Sequence, residues 1–239
     1  MNPPKNYTSL VLIGLLIIAS FLLGTFWTRV KYIEKGQTGS SPTPQVAGQQ
    51  ANPTLPPKPS EISQTEFDKL VKGASLVAGK NSAPVKIVEF SDFECPYCAR
   101  FHSETYPTIE EKYIKTGKVQ FFYRHVPLEM HPNAKSAAIA AECAALQGKF
   151  TAMHDILYKN TENLTAKDLK SYAAEIGLNQ TQFDDCFDNK KTEDRINSDI
   201  QIAGTVGISA TPTFFINGKI VAGALPASSF EQTIDALLK

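Results

Sequence analysis

The sequence predicts an α/β domain: strand, helix, strand, then a block of helices, then two strands and a closing helix. Three observations carry that prediction. Residues 85–90 and 118–126 are short apolar runs rich in β-branched or aromatic residues, bounded by Pro84, Ser91-Asp92 and Pro127. Residues 134–206 between them and the chain's end keep helical spacing through several segments. Finally, Asn217-Gly218 separates the apolar runs 213–216 and 220–222, the strongest short-range signal for a β-hairpin.

Each element follows from local chemistry. Residues 63–72 form a short amphipathic helix with Phe67, Leu70 and Val71 on one side. After Cys95 a helix runs to about residue 115, with Phe101, Ile109 and Tyr113 as core contacts, and Gly117 ends it. Residues 134–146 are alanine-rich, and 150–158 resume helical spacing after Gly148. Thr165 with Asp168 three residues on marks the start of the next helix. Gly177 closes it, with Leu178 placed for the hydrophobic contact that follows a glycine cap. Residues 181–187 and 193–206 complete the helical block, 228–238 form a final amphipathic helix, and no internal repeat is present.

The front of the 239-residue chain is of another kind. Residues 10–27 are 18 uncharged, mostly apolar residues. At about 1.5 Å per residue they cover roughly 27 Å, the hydrocarbon thickness of a bilayer. No small-x-small cleavage site follows, so an uncleaved anchor over 10–28 is expected, behind a short flank at 1–9. Lys5 on one side and Arg29, Lys31 and Lys35 on the other leave the positive-inside count near a tie. Residues 29–60 form a linker, and 36–59 are rich in Gly, Pro, Ser, Thr and Gln, too poor in apolar groups to fold. The remaining residues, 61–239, are enough for one sizeable core, with the helical insertion at about 131–205. Lysine plus arginine and aspartate plus glutamate both number 24, and no like-charge run occurs, which argues against nucleic acid as a partner.

Four cysteines stand at 95, 98, 143 and 186. Cys95-Pro96-Tyr97-Cys98 sits where a strand hands over to a helix, so the first sulfur faces unsatisfied amides that favour thiolate. Pro96 suits a first helical turn, and Cys98 lies on the same face, close enough to form a disulfide. Disulfide exchange requires this pairing of one exposed sulfur that attacks and a neighbour that resolves. A zinc half-site and an inert structural pairing are the alternatives; the zinc site lacks a second short-spaced Cys or His pair, since His102, His125, His131 and His154 are scattered.

Residues 88–98 (Val-Glu-Phe-Ser-Asp-Phe-Glu-Cys-Pro-Tyr-Cys) resemble the active-site segment of the DsbA-type disulfide oxidoreductases of the thioredoxin superfamily. The resemblance continues at 143–150 (Cys-Ala-Ala-Leu-Gln-Gly-Lys-Phe) and at 206–218, around Ala210-Thr211-Pro212-Thr213-Phe214-Phe215, and spans roughly 75–239. It implies a thioredoxin-like fold with a helical insertion, needing no cofactor or metal. It implies that Thr211-Pro212 form a cis-proline loop facing the disulfide and binding an extended substrate. It implies that Glu89 relays protons to Cys98, where an ordinary strand glutamate would be solvated. It also implies a structural pair between Cys143 and Cys186; two buried free thiols or a redox relay are the alternatives. A stable pair needs an oxidising compartment, which places the domain on the extracytoplasmic side, periplasmic or cell-surface.

The expected activity is thus oxidation of cysteine pairs in exported proteins by a membrane-anchored monomer, recharged by a membrane quinone-linked thiol oxidase. A reductase or isomerase of exported proteins is the second reading, because Pro-Tyr between the cysteines and Thr before the cis-proline occur in isomerase-type relatives. A tethered, non-catalytic binding module is the third.

Overall fold

The structure, a computed structural model, describes residues 61–239. The expected anchor at 10–28 and linker at 29–60 lie outside the described residues. Helix α1 (Gln64–Val71) starts at a full capping box, in which Ser63 accepts from the Glu66 amide and Glu66 returns the bond. Strands β1 (Ser75–Ala78), β2 (Val85–Ser91), β3 (Val119–His125), β4 (Thr213–Ile216) and β5 (Lys219–Ala222) form one mixed sheet in the order β1-β3-β2-β4-β5. β2 runs parallel to β3 and antiparallel to β4, so it is central and every residue but Lys86 is buried. β1 was not expected. It adds antiparallel to the β3 edge, with a register shift between Leu76 and Ala78.

The hairpin forms as the Asn-Gly pair requires. Asn217 and Gly218 have φ of 45° and 94°, and a side chain on Gly218 would stand 2.8 Å from the Ile62 carbonyl.

The helical run after Cys95 is less regular than expected: α2 (Pro96–Arg100), a π-helical stretch (Phe101–Thr105), α3 (Tyr106–Ile109) and a second π-helical stretch (Glu110–Ile114). Pro107 explains the first widening. It has no N–H to donate, and the Tyr106 amide reaches five residues back to the Phe101 carbonyl, opening the turn around the ring. Between β3 and β4 stand five helices, α4 (Ala134–Ala145), α5 (Phe150–Lys159), α6 (Ala166–Glu175), α7 (Gln180–Asp188) and α8 (Glu193–Thr205). Thr165 and Asp168 form the second capping box, at α6. Leu178 donates back to Ala173 beyond Gly177, the Schellman closure. Helix α9 (Ala227–Leu237) ends the chain, burying Phe230 and Ile234.

One apolar core joins the α2–α3 run, the helical insertion and α9 to one side of the sheet, through Phe101, Ile109, Phe121, Met153 and Phe214, each fully buried. A smaller one lies under α1, around Phe67, Leu70, Phe90 and Phe215. Cys143 on α4 and Cys186 on α7 are joined as a disulfide across 43 residues.

Candidate active site

The end of β2 and the start of α2 hold the two remaining cysteines. Cys95 is the residue just before α2, with extended backbone (φ −76°, ψ 122°), and Pro96 takes the first helical position. The connecting loop is pinned from three sides. Asp92 accepts from the Glu94 amide (2.8 Å), the Leu128 amide (2.9 Å) and His131 Nδ1 (2.7 Å). Glu94 accepts from the amide and side chain of Asn133 at 2.6 and 2.9 Å, fastening the entrance of α4 to the cysteine loop. Phe93 turns inward and stacks on Tyr123 at 5.0 Å.

Both sulfurs are thiols, and both are buried: Cys95 is 4 % exposed and Cys98 fully enclosed. The exposed sulfur expected from sequence is therefore only the outer one of a covered pair. The cover is the loop before β4, where the Thr211–Pro212 peptide is cis and the Thr211 carbonyl lies 3.6 Å from Cys95 Sγ. Pro96 and Tyr97 flank the sulfur and are exposed, Tyr97 by 59 %.

The two thiols differ sharply in acidity. The hydrogen bond from the Cys98 side chain, with smaller help from Thr211 and the Cys98 and Tyr97 amides, brings Cys95 down to about 5 against burial. The helix-start amides invoked from sequence thus contribute last, and the neighbouring thiol first. Burial pushes Cys98 well above the usual thiol range, and its bond to Cys95 and the Glu89 charge push the same way. One sulfur is a ready thiolate while the other keeps its proton.

Glu89 is fully buried in β2, not the solvated glutamate of an ordinary strand. It accepts from Ser91 Oγ at 2.7 Å and meets His102 Nε2 at 2.9 Å. Ser91 continues to the Tyr158 hydroxyl (2.8 Å) and Tyr158 to the Tyr123 hydroxyl (2.8 Å). Sequence brought together Cys95, Cys98, Glu89, Thr211 and Pro212, and the structure places all five here; Cys143 and Cys186 lie in the insertion. Ser91, Asp92, His102, His131 and Tyr158 escaped sequence reading. Most of their partners are distant in sequence, and the register of β2 against β3, the loop that follows β3 and the seating of α5 bring them in. Among the described residues no cluster of side chains is arranged to hold a metal ion.

Comparison with known proteins places this geometry. The family model Thioredoxin_4, described as thioredoxin, matches residues 72–236. Oxidised BdbD from Bacillus subtilis superposes with a TM-score of 0.66 at 26% identity, covering 70% of this chain and 94% of that one. Alpha-DsbA1 from Wolbachia pipientis superposes at 0.61 with 29% identity, covering 69% and 90%. Among curated sequences, the Na(+)/H(+) antiporter NhaA 3 of Salinispora tropica is 40% identical over 144 residues, 60% of this chain. The match takes up only 22% of that protein, so the chain spans about a fifth of the curated relative's length. With the family model over most of its domain and such neighbours in structure, the chain belongs to the thioredoxin family, as a DsbA-like member of that superfamily.

Proposed function

We propose that this chain is an extracytoplasmic thiol–disulfide oxidoreductase that oxidises cysteine pairs of exported proteins through Cys95 and Cys98. One observation carries the reading: Cys95 is a thiolate at neutral pH, its pKa lowered to about 5 by its neighbours, beside a Cys98 that stays protonated. Whatever stabilises the reduced pair makes the disulfide a stronger oxidant, since the disulfide gains nothing from those hydrogen bonds. Cys95 is the sulfur that substrate attacks, and Cys98 the leaving and resolving sulfur. Glu89 exchanges protons with Cys98, and the Thr211-Pro212 backbone receives the substrate strand. The Cys143–Cys186 bridge, formed in the structure, suits an oxidising compartment and supports the outward placement. A membrane quinone-linked oxidase would restore the disulfide, and the 10–28 segment would hold the monomer at the membrane. Antiport, in the names of the curated relatives, is not carried over to a chain that matches about a fifth of their length.

The reduction potential tests the direction. A value of about −120 to −180 mV supports the oxidase, whereas one near −270 mV turns the reading to a reductase. Replacing Cys95 by serine abolishes exchange; a binding module would keep its phenotype. A membrane-impermeant thiol label on intact cells that reaches Cys95 only after lysis would refute the outward placement.

A further inference from the structure

A solvent-facing cleft of about 520 Å³ opens between the helical run that follows Cys98 and α5, and has no cysteine in its walls. His102, Tyr106 and Glu110 line it from the helical run that begins at α2, and His154, Asp155, Tyr158 and Lys159 from α5. Two of these side chains hydrogen-bond the buried polar chain around Glu89. Tyr158 does so with a hydroxyl already committed to Ser91 and Tyr123, both 2.8 Å away. His102 does so through Nε2, 2.9 Å from Glu89 Oε2, while its Nδ1 bonds no protein atom among the described residues. Its ring is clamped in place, stacked on Tyr158 at 3.9 Å and edge-on to His154 at 4.7 Å. Next along the same wall, His154 keeps a buried Nε2 without a protein partner and bonds half-exposed Asp155 through Nδ1 at 2.9 Å.

We propose that His102 is a relay residue that acts through Glu89, carrying the proton that Cys98 gains and loses between the active site and the water of this cleft. The inference rests on the exchange activity proposed above. In the oxidising direction a substrate thiolate attacks Cys95 Sγ of the disulfide. A bond forms between the substrate sulfur and Cys95, the Cys95–Cys98 bond breaks, and its electron pair goes to Cys98. Burial and the Glu89 charge make a lasting Cys98 thiolate costly, so this sulfur takes up one proton. His102 gives a proton from Nε2 to the Glu89 carboxylate, Glu89 passes it on to Cys98, and water in the cleft returns a proton to His102 at Nδ1, leaving the ring as its other tautomer. The net transfer is one proton from cleft to Cys98, with no change in the charge of Glu89 or His102. A second substrate thiolate then attacks the substrate sulfur of the mixed disulfide, and Cys95 leaves as thiolate. Histidine suits the relay position because one ring nitrogen can accept a proton while the other donates one. The charged and titratable groups facing it are Glu89 from β2, Tyr106 and Glu110 from its own run, and His154, Asp155, Tyr158 and Lys159 from α5. Burial holds His154 below the usual histidine range, leaving it a neutral acceptor beside the relay.

The test is the rate at which dithiothreitol opens the Cys95–Cys98 disulfide of the full chain, from about pH 5 to about pH 9, after correction for dithiothreitol thiolate. His102→Gln keeps an N–H for Glu89 but cannot titrate. It should slow opening about tenfold at neutral pH and flatten the pH profile. His102→Ala should be slow as well and regain rate when imidazole is added, because the cleft admits it. A His102→Gln profile with the wild-type shape overturns the relay, as does failure of imidazole to restore His102→Ala while that variant melts like the wild type. If the wild-type disulfide is not opened by thiols at all, the exchange activity falls and takes the relay with it. Normal opening with an unchanged His102→Gln profile sinks the relay alone.

Discussion

At Cys95 the thiolate is held chiefly by the side chain three residues on, and the amides of α2 come last among its stabilisers. Hydrogen bonds to a charged group are worth about 1.5–3 kcal/mol, or roughly one to two pKa units. Thiolate absorbance should therefore titrate with a midpoint of about 5 in the wild type and move up by that amount in Cys98→Ala. An unmoved midpoint would return the stabilisation to the helix start. The same depression links to stability with a definite sign. The ordinary thiol value is 9.0, so the reduced domain holds its full thiolate stabilisation above that pH and loses it as pH falls through about 5. The oxidised domain has no such group to titrate. Melting temperatures of the two forms should diverge in favour of the reduced one as pH rises across this window, and parallel curves would refute the shift.

At the scale of elements, local chemistry made most of the fold legible. The Thr165–Asp168 box, the Gly177 closure and the Asn217-Gly218 turn each satisfy backbone groups within a few residues, so a reader of the chain can find them. β1 was not legible, because four residues beginning with Ser75 carry no alternation and pair only when the β3 edge is already in place. His102 was not legible either. Its partner Glu89 is 13 residues away across the strand-to-helix turn, and its cleft is completed by α5. The insertion is a bundle whose helices α4 and α7 are stapled by Cys143–Cys186. Closing 43 residues should contribute about 4 kcal/mol by chain entropy. The Cys143→Ala, Cys186→Ala double variant should lose about that much in urea unfolding. A loss under about 1 kcal/mol would mean that the α4–α7 packing already constrains the unfolded chain. Glu142, on the same helix as Cys143, makes a second, acid-sensitive tie. Burial raises its pKa, but the hydrogen bond and charge of His125 and a bond from Ser75 prevail and bring it to about 2. The tie is complete above the ordinary value of 4.5 and is lost as pH falls toward 2. Glu142→Gln should therefore flatten the acid limb of the unfolding curve between those values, and an unchanged limb would exclude this tie.

For the whole molecule, the question is how α1 and its small core stay attached on the side of the sheet away from the main core. The answer lies in one buried ion pair. Arg124 at the end of β3 is 1 % exposed and donates to the Leu70 carbonyl at 2.7 Å and the Lys72 carbonyl at 2.6 Å, the closing turn of α1. Its remaining charge is met by Asp199 of α8, which is fully buried, also pairs with Arg195, and accepts from the His125 amide at 3.0 Å. Three elements that are distant in sequence thus meet at one guanidinium. Asp199→Ala leaves the guanidinium buried and unpaired, which should cost about 3–5 kcal/mol. Replacing both partners by apolar residues (Arg124→Met with Asp199→Leu) should cost less than that single change, because the enclosed guanidinium is gone and the charge left without Asp199, on Arg195, is partly open to solvent. Asp199 is not among the groups that shift Cys95. The Asp199→Ala protein should therefore melt early while its Cys95 thiolate still titrates at about 5. Loss of the thiolate midpoint together with stability would show that the pair holds the active-site end of β3, where His125 faces Ser91, and not only the attachment of α1.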